Sequence, residues 1–194
     1  YEASVVGRNI FYNNSSFDGN NPAANLADDD SVATDKTALL PGQTATFANY
    51  TSYWKGVNGV MVDLDGLSNP AGITTADFQF KVGESDNTGA WSVAPTPTVT
   101  VRQGAGAGGT DRITIIWADG AITGQWIEVS VLATANTGLP NNDTFYFGNA
   151  IGETGNTALN AFVDGSDFAG VRDHPRNFAG PAAVDFTYDM NRDS

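Results

Sequence analysis

Cysteine is absent from the 194 residues, so neither disulfides nor thiolate metal centres are open to this chain. That absence leaves the cellular compartment undecided. Basic residues are scarce: nine Lys and Arg stand against 22 Asp and Glu, a formal net charge of −13. Nucleic acids and anionic membrane surfaces select clustered Lys and Arg, so the charge balance argues against both as partners. No apolar run approaches the ~18 residues that crossing a bilayer takes, which argues against membrane insertion. There is one histidine, His174, in the turn "RDHPRN", and no G-x-S-x-G or H-E-x-x-H motif accompanies it. Catalytic triads and histidine-ligated metals therefore have almost nothing to build on, and a surface histidine is the simpler reading. The chain starts at Tyr1 rather than Met, which reads as processing or as excision from something longer.

Amphipathic helical stretches are also nearly missing. What stands in their place is short alternation between spacers rich in Gly, Asn, Asp, Ser and Thr. Residues 4–12 and 44–50 read as strands. Val60, Val62 and Leu64 alternate with Met61, Asp63 and Asp65, so one face of that strand is expected to be wet. The same phase puts Phe78, Phe80 and Val82 inward, then Val99 and Val101, then Ile113, Ile115 and Trp117. Ile127, Val129 and Val131 follow, and Phe145 and Phe147 close the series. "GAGAGG" at 104–109 precedes a strand rather than a helix, so it reads as a turn and not as a phosphate cradle. About eight strands across residues 4–148 predict an all-β fold, a two-layer antiparallel β-sandwich of jelly-roll type. At 41% hydrophobic residues the chain can bury a real core. Alternation stops after residue 148, giving two units: a sandwich module over 1–148 and a tail over 149–194 with a short helix at 165–173.

Three features point to binding. The first is aromatic. Sugar-binding surfaces stack planar rings on the apolar face of a pyranose, which demands exposed rings on rigid backbone. Trp126 qualifies by phase, sharing a face with Glu128 and Ser130. Trp54 with Tyr50 and Tyr53 sits at a loop-to-strand junction, and Trp91 lies in the loop "NTGAWSVAP". Core packing competes for each ring and is expected for Trp117. The second feature is the polar stretch 13–43, long enough to need a function or a tether. It holds Asp28, Asp29 and Asp30 in a row, and a bound cation would relieve their repulsion; Asp28 and Asp30 are the candidate ligands. The third is the end, "DMNRDS". Asp189, Asn191 and Asp193 follow the D-x-N-x-D spacing that opens a calcium loop, because hard cations take oxygens from alternate positions of a tight turn.

The tail resembles a type I dockerin, a module with two calcium loops of the form D-x-N-x-D-G-x-V-x-x-x-D, each followed by a helix. "DMNRDS" matches the opening of the second loop. In "GNAIGETG…VDGSDFAGVRD" the resemblance assigns Asn149 and Glu153 to the first and fifth positions of the first loop and Asp167 to the twelfth. Ile151 stands where an oxygen ligand is expected, and residues 156–162 interrupt the loop. The longer runs from "FYNNSSFDGNNP" to "FANYTSY", with "FYFGNAIGETGN", look like a β-rich module that precedes dockerin-like ends in large secreted planctomycete proteins. The resemblance implies export to the extracellular space or cell surface, with Ca²⁺ as cofactor. The expectation is a non-catalytic binding module whose partner is a polysaccharide or an extracellular protein. The alternative is a self-associating subunit of an extracellular filament or surface layer. Glycosidase chemistry needs two placed carboxylates, and the sequence selects no pair.

Overall fold

The structure, a computed structural model, describes residues 2–177 and 179–193. Two sheets carry the fold. The first contains β1 (Ser4–Ile10), β3 (Gly59–Asp65), β7 (Asp111–Ile116) and β6 (Thr98–Arg102), side by side in that order. The second contains β2 (Tyr50–Thr51), β9 (Asp143–Asn149), β8 (Trp126–Val131), β4 (Phe78–Gly83) and β5 (Ser92–Val93), in that order. Every strand pair is antiparallel except β2 with β9, which run parallel over two residues.

The register explains the core. Val60 faces Ile115 and Val62 faces Ile113 in the first sheet. Phe78 faces Val131, Phe80 faces Val129, and Ile127 faces Phe147 in the second. Paired residues of an antiparallel ladder point to one side, so each sheet presents an apolar face. These faces merge into a single buried cluster with Trp117, which is 1% exposed. The result is an all-β sandwich, as the alternation predicts. Burying each large side chain of this kind contributes about 1.5–3 kcal/mol.

The outer faces depart from expectation. Met61, expected to be wet, is buried with Phe11 and Ile116 under Ala24 and Val32. The cover is the first half of the 13–43 stretch. Two short 3₁₀ helices, Ser16–Asp18 and Leu26–Ser31, give it shape, and a bridge pairs Phe11 with Val32. Asp29 pins the cover to the sheet through Arg102 and Arg112, while Arg112 also grips the buried Asp63 with two 2.7 Å hydrogen bonds. The second half of the stretch crosses to the other sheet, where Leu39 bridges Tyr146. Residues 44–50 form mainly an irregular approach and a helical turn, because only Tyr50 and Thr51 reach a ladder partner.

Beyond β9 the one α-helix among the described residues, α1, spans Gly165–Asp173, as predicted. Its start is a reciprocal cap. The Asp164 side chain accepts from the Ser166 N–H, and Asp167 accepts from the Asp164 N–H. The chain then returns to the sandwich. The Trp54 N–H donates to the Met190 carbonyl and the Ser16 N–H to the Arg192 carbonyl. Arg192 is itself buried, its guanidinium 4.3 Å from the Tyr12 ring centre and donating to the Tyr12 hydroxyl at 3.0 Å.

Candidate functional site

On the outer face of the five-stranded sheet lies an open groove of about 710 Å³. Trp91, Trp126 and Tyr146 supply its rings, and the walls are residues 39–45 on one side and 84–88 on the other. Two glycines make this arrangement possible. Trp126 pairs with Gly83 on β4 and with Gly148 on β9, so its neighbours on the same face carry no side chain. A Cβ on Gly83 would stand 2.3 Å from Trp91 Cδ1, and one on Gly148 would stand 2.9 Å from Trp126 Cε2. Both indoles thus lie against bare backbone.

Other contacts fix the rings. The Trp91 indole N–H donates to the Ser85 carbonyl at 2.9 Å, and its ring meets Tyr146 edge to face with centres 5.8 Å apart. Tyr50 meets Trp126 edge to face at 6.3 Å. One row further along, Lys81, Glu128 and Tyr146 sit side by side, and Lys81 Nζ lies 3.1 Å from Glu128 Oε1. Burial, and then the charge of Glu128, raises the Tyr146 hydroxyl pKa. The 39–45 wall is held by paired backbone hydrogen bonds between Leu39 and Tyr146, at 2.9 and 3.0 Å. It turns at Gly42, whose φ of +82° suits glycine.

The five rings singled out in the sequence separate in space. Trp91 and Trp126 share the groove, with Tyr50 behind Trp126 and its hydroxyl pKa pushed up to about 12, chiefly by burial. Trp54 is 52% exposed but lies outside the groove lining, beside the returning tail. Tyr53 is core: its ring is fully buried and its hydroxyl donates toward the carbonyls of Asn13 and Asn14. Glu128 and Ser130 are buried rather than wet. The rest of the groove lining escaped the sequence reading, Tyr146, Glu84 and Asp86 among it. For Tyr146 a signal existed, because its ring is out of phase with Phe145 and Phe147 and so belongs to the opposite face.

The candidate metal ligands also disperse. Asp28 is buried as a cap, accepting from the Asn25 N–H at 2.8 Å, whereas Asp30 is exposed. Asp29 between them is neutralised by two arginines, so residues 28–30 point three ways. Asn149 uses its side chain structurally, accepting from the Gly124 N–H and donating to the carbonyls of Thr51 and Tyr53. Asp189, Asn191 and Asp193 line one shallow pocket with His174, and the Asn191 amide donates to Asp193 at 2.6 Å. Among the described residues no three His, Asp or Glu side chains gather as a metal cluster.

Glu153 is different. It is fully buried, and Oε1 accepts from the Gly155 N–H at 2.8 Å, while among the described residues Oε2 has no hydrogen-bond partner. Burial raises its pKa by more than the Gly155 hydrogen bond lowers it, and the charge of Asp167 adds to the rise. Asp167 is buried too, accepting from the N–H and hydroxyl of Thr154 at 2.9 and 2.8 Å. A bare carboxylate oxygen in such a place is costly unless a proton or a cation meets it. Glu153 and Asp167 are thus two expected ligands that are both buried and whose charges act on each other.

No protein-family model, curated protein or solved structure matches the chain.

Proposed function

We propose that this chain is a non-catalytic, extracellular carbohydrate-binding module, calcium-associated through Glu153 and Asp167. The observation that carries the reading is the groove. Two indoles pack against Gly83 and Gly148, Tyr146 meets Trp91 edge to face, and Gln43, Thr44 and Thr88 line the same space. Ring faces take the C–H side of a sugar while hydroxyl and amide groups take its hydroxyls. Rings held by backbone and by each other lose little entropy on binding.

Glu84 and Asp86, the carboxylates of the groove lining, belong to one exposed loop on one wall. Glycoside hydrolysis uses two carboxyl groups that flank the scissile bond. The opposite wall, residues 39–45, carries neither acid nor base, which favours binding without cleavage. A filament or surface-layer subunit is the second reading. The observation in its favour is the apolar exposure of Leu159, Phe162, Val163 and Phe168 around the start of α1.

Electrophoresis through gels containing neutral polysaccharides tests the first reading. At least one polymer should retard the wild type at both low and high salt. Trp126→Ala and Trp91→Ala should abolish the retardation, while Trp54→Ala should leave it unchanged. Loss through Trp54→Ala alone would place the ligand elsewhere. Absence of retardation by any polymer, with assembly on adding calcium, would favour the second reading.

A further inference from the structure

We infer that the groove selects sugars bearing a free, protonated amine over neutral sugars, and excludes uronic acids. The inference rests on the carbohydrate reading above and concerns the charge of the ligand. Glu84 and Asp86 stand on the groove wall, and among the described residues no Lys, Arg or His lines it. The nearest base by register is Lys81, on the β4 strand under Trp126. Its ammonium is committed to Glu128 at 3.1 Å, and the side chain opens into a separate groove on the far side of Trp91. A ligand in the main groove therefore meets acids and ring faces, with no cationic partner for a carboxylate.

Both elements favour an ammonium group. Indole faces attract cations through the ring quadrupole, most strongly at Trp. Carboxylates on the wall add a charge-assisted hydrogen bond. A uronate would bring negative charge to a wall carrying Glu84 and Asp86 on a chain of net charge −13. It would be repelled locally and at long range. An amino group at C2 of a pyranose is equatorial in the common amino sugars and so points outward from the ring edge, toward a wall, when the sugar's C–H face lies on Trp126. N-acetylation removes the charge while keeping the ring and linkage, which makes it the matched comparison.

Calorimetric titration with three soluble oligomers tests the inference: β-1,4-linked glucosamine, its fully N-acetylated form and an oligogalacturonate. The pH is one where the glucosamine amine is protonated and the oligogalacturonate is ionised. The glucosamine oligomer should bind about two- to thirtyfold more tightly than the acetylated one, the range two exposed ion pairs provide. The uronate should bind more weakly than either. Raising the salt, raising the pH above the amine pKa, or making Glu84→Gln with Asp86→Asn should each remove the advantage. The double variant Glu2→Gln with Asp173→Asn, two exposed acids outside the groove, should keep it. If both control and groove variants lose the advantage equally, net charge explains it and the inference falls. Equal binding of the amino and acetylated forms, or binding of the uronate, overturns the inference and leaves the carbohydrate reading standing. Equally tight binding by a lysine peptide of matched charge would also overturn it, by removing the sugar. If none of the oligomers binds, the carbohydrate reading fails and takes this inference with it.

Discussion

Glu153 sets the most informative single-residue test. Its folded-state pKa is raised, so the folded chain keeps a proton that the unfolded chain releases. Stability contributed by that protonation is present at low pH and lost as pH rises from the ordinary glutamate value through the folded one. Asp29 and Asp167 behave oppositely. Despite the cost of desolvation, the arginines around Asp29 and the donors around Asp167 hold both below the ordinary value. Their contribution is complete above ordinary aspartate pKa and fades as pH falls. Replacing Glu153 by Gln should therefore leave the melting temperature in a chelator at neutral pH equal to or above that of the wild type. The variant should also lose the rise that millimolar calcium gives the wild type. That rise corresponds to about 2.7 kcal/mol at a hundredfold excess of calcium over Kd. Equal calcium responses in the two proteins would remove Glu153 as a ligand. The tryptophans give a second test. Trp117→Ala should cost about 3–5 kcal/mol in urea unfolding, as for a large ring lost from a core. Trp126 is only half-buried, so Trp126→Ala should cost clearly less, about 1–2 kcal/mol. The opposite order would mean that Trp117 is not core and Trp126 is.

At the level of elements, local pattern and long-range cover part company. Helix α1 was legible because Asp164 and Asp167 make a cap within four residues of sequence. Strands β4, β7, β8 and β9 were legible because alternation is local. The burial of Met61 and Asp63 was not, since what covers them arrives from residues 24–32. The groove divides the same way. Phase brought Trp126 out of the core, but its meeting with Trp91 depends on the register across β4, β8 and β9 and on two distant glycines. The cover itself makes a prediction. Arg112 meets the buried Asp63 and also binds Asp29, whereas among the described residues the Arg102 side chain bonds to Asp29 and not to Asp63. Arg112→Ala should then cost about 3–5 kcal/mol, the cost of stranding a buried carboxylate. Arg102→Ala should cost much less, because Asp29 keeps Arg112. Denaturant midpoints for the two variants decide it, and equal losses would mean that Asp63 finds other donors.

For the whole molecule, the sandwich, its wrapped outer faces and the returning tail make one connected object with an open aromatic groove on one side. Among the described residues the groove is lined by acids and no base, and the tail runs beside Trp54. The chain holds four tryptophans in distinct settings: two in the groove, one in the core and one beside the tail. Their four indole N–H resonances in a ¹⁵N correlation spectrum give the most direct test of the central claim, read during titration with the tightest-binding oligosaccharide. The groove account predicts saturable shifts of the Trp91 and Trp126 signals, with amides of residues 40–45 and 84–88 moving along the same isotherm while Trp54 and Trp117 stay in place. Shifts confined to Trp54 and the 159–171 amides, or no saturable shift at any indole, would contradict it.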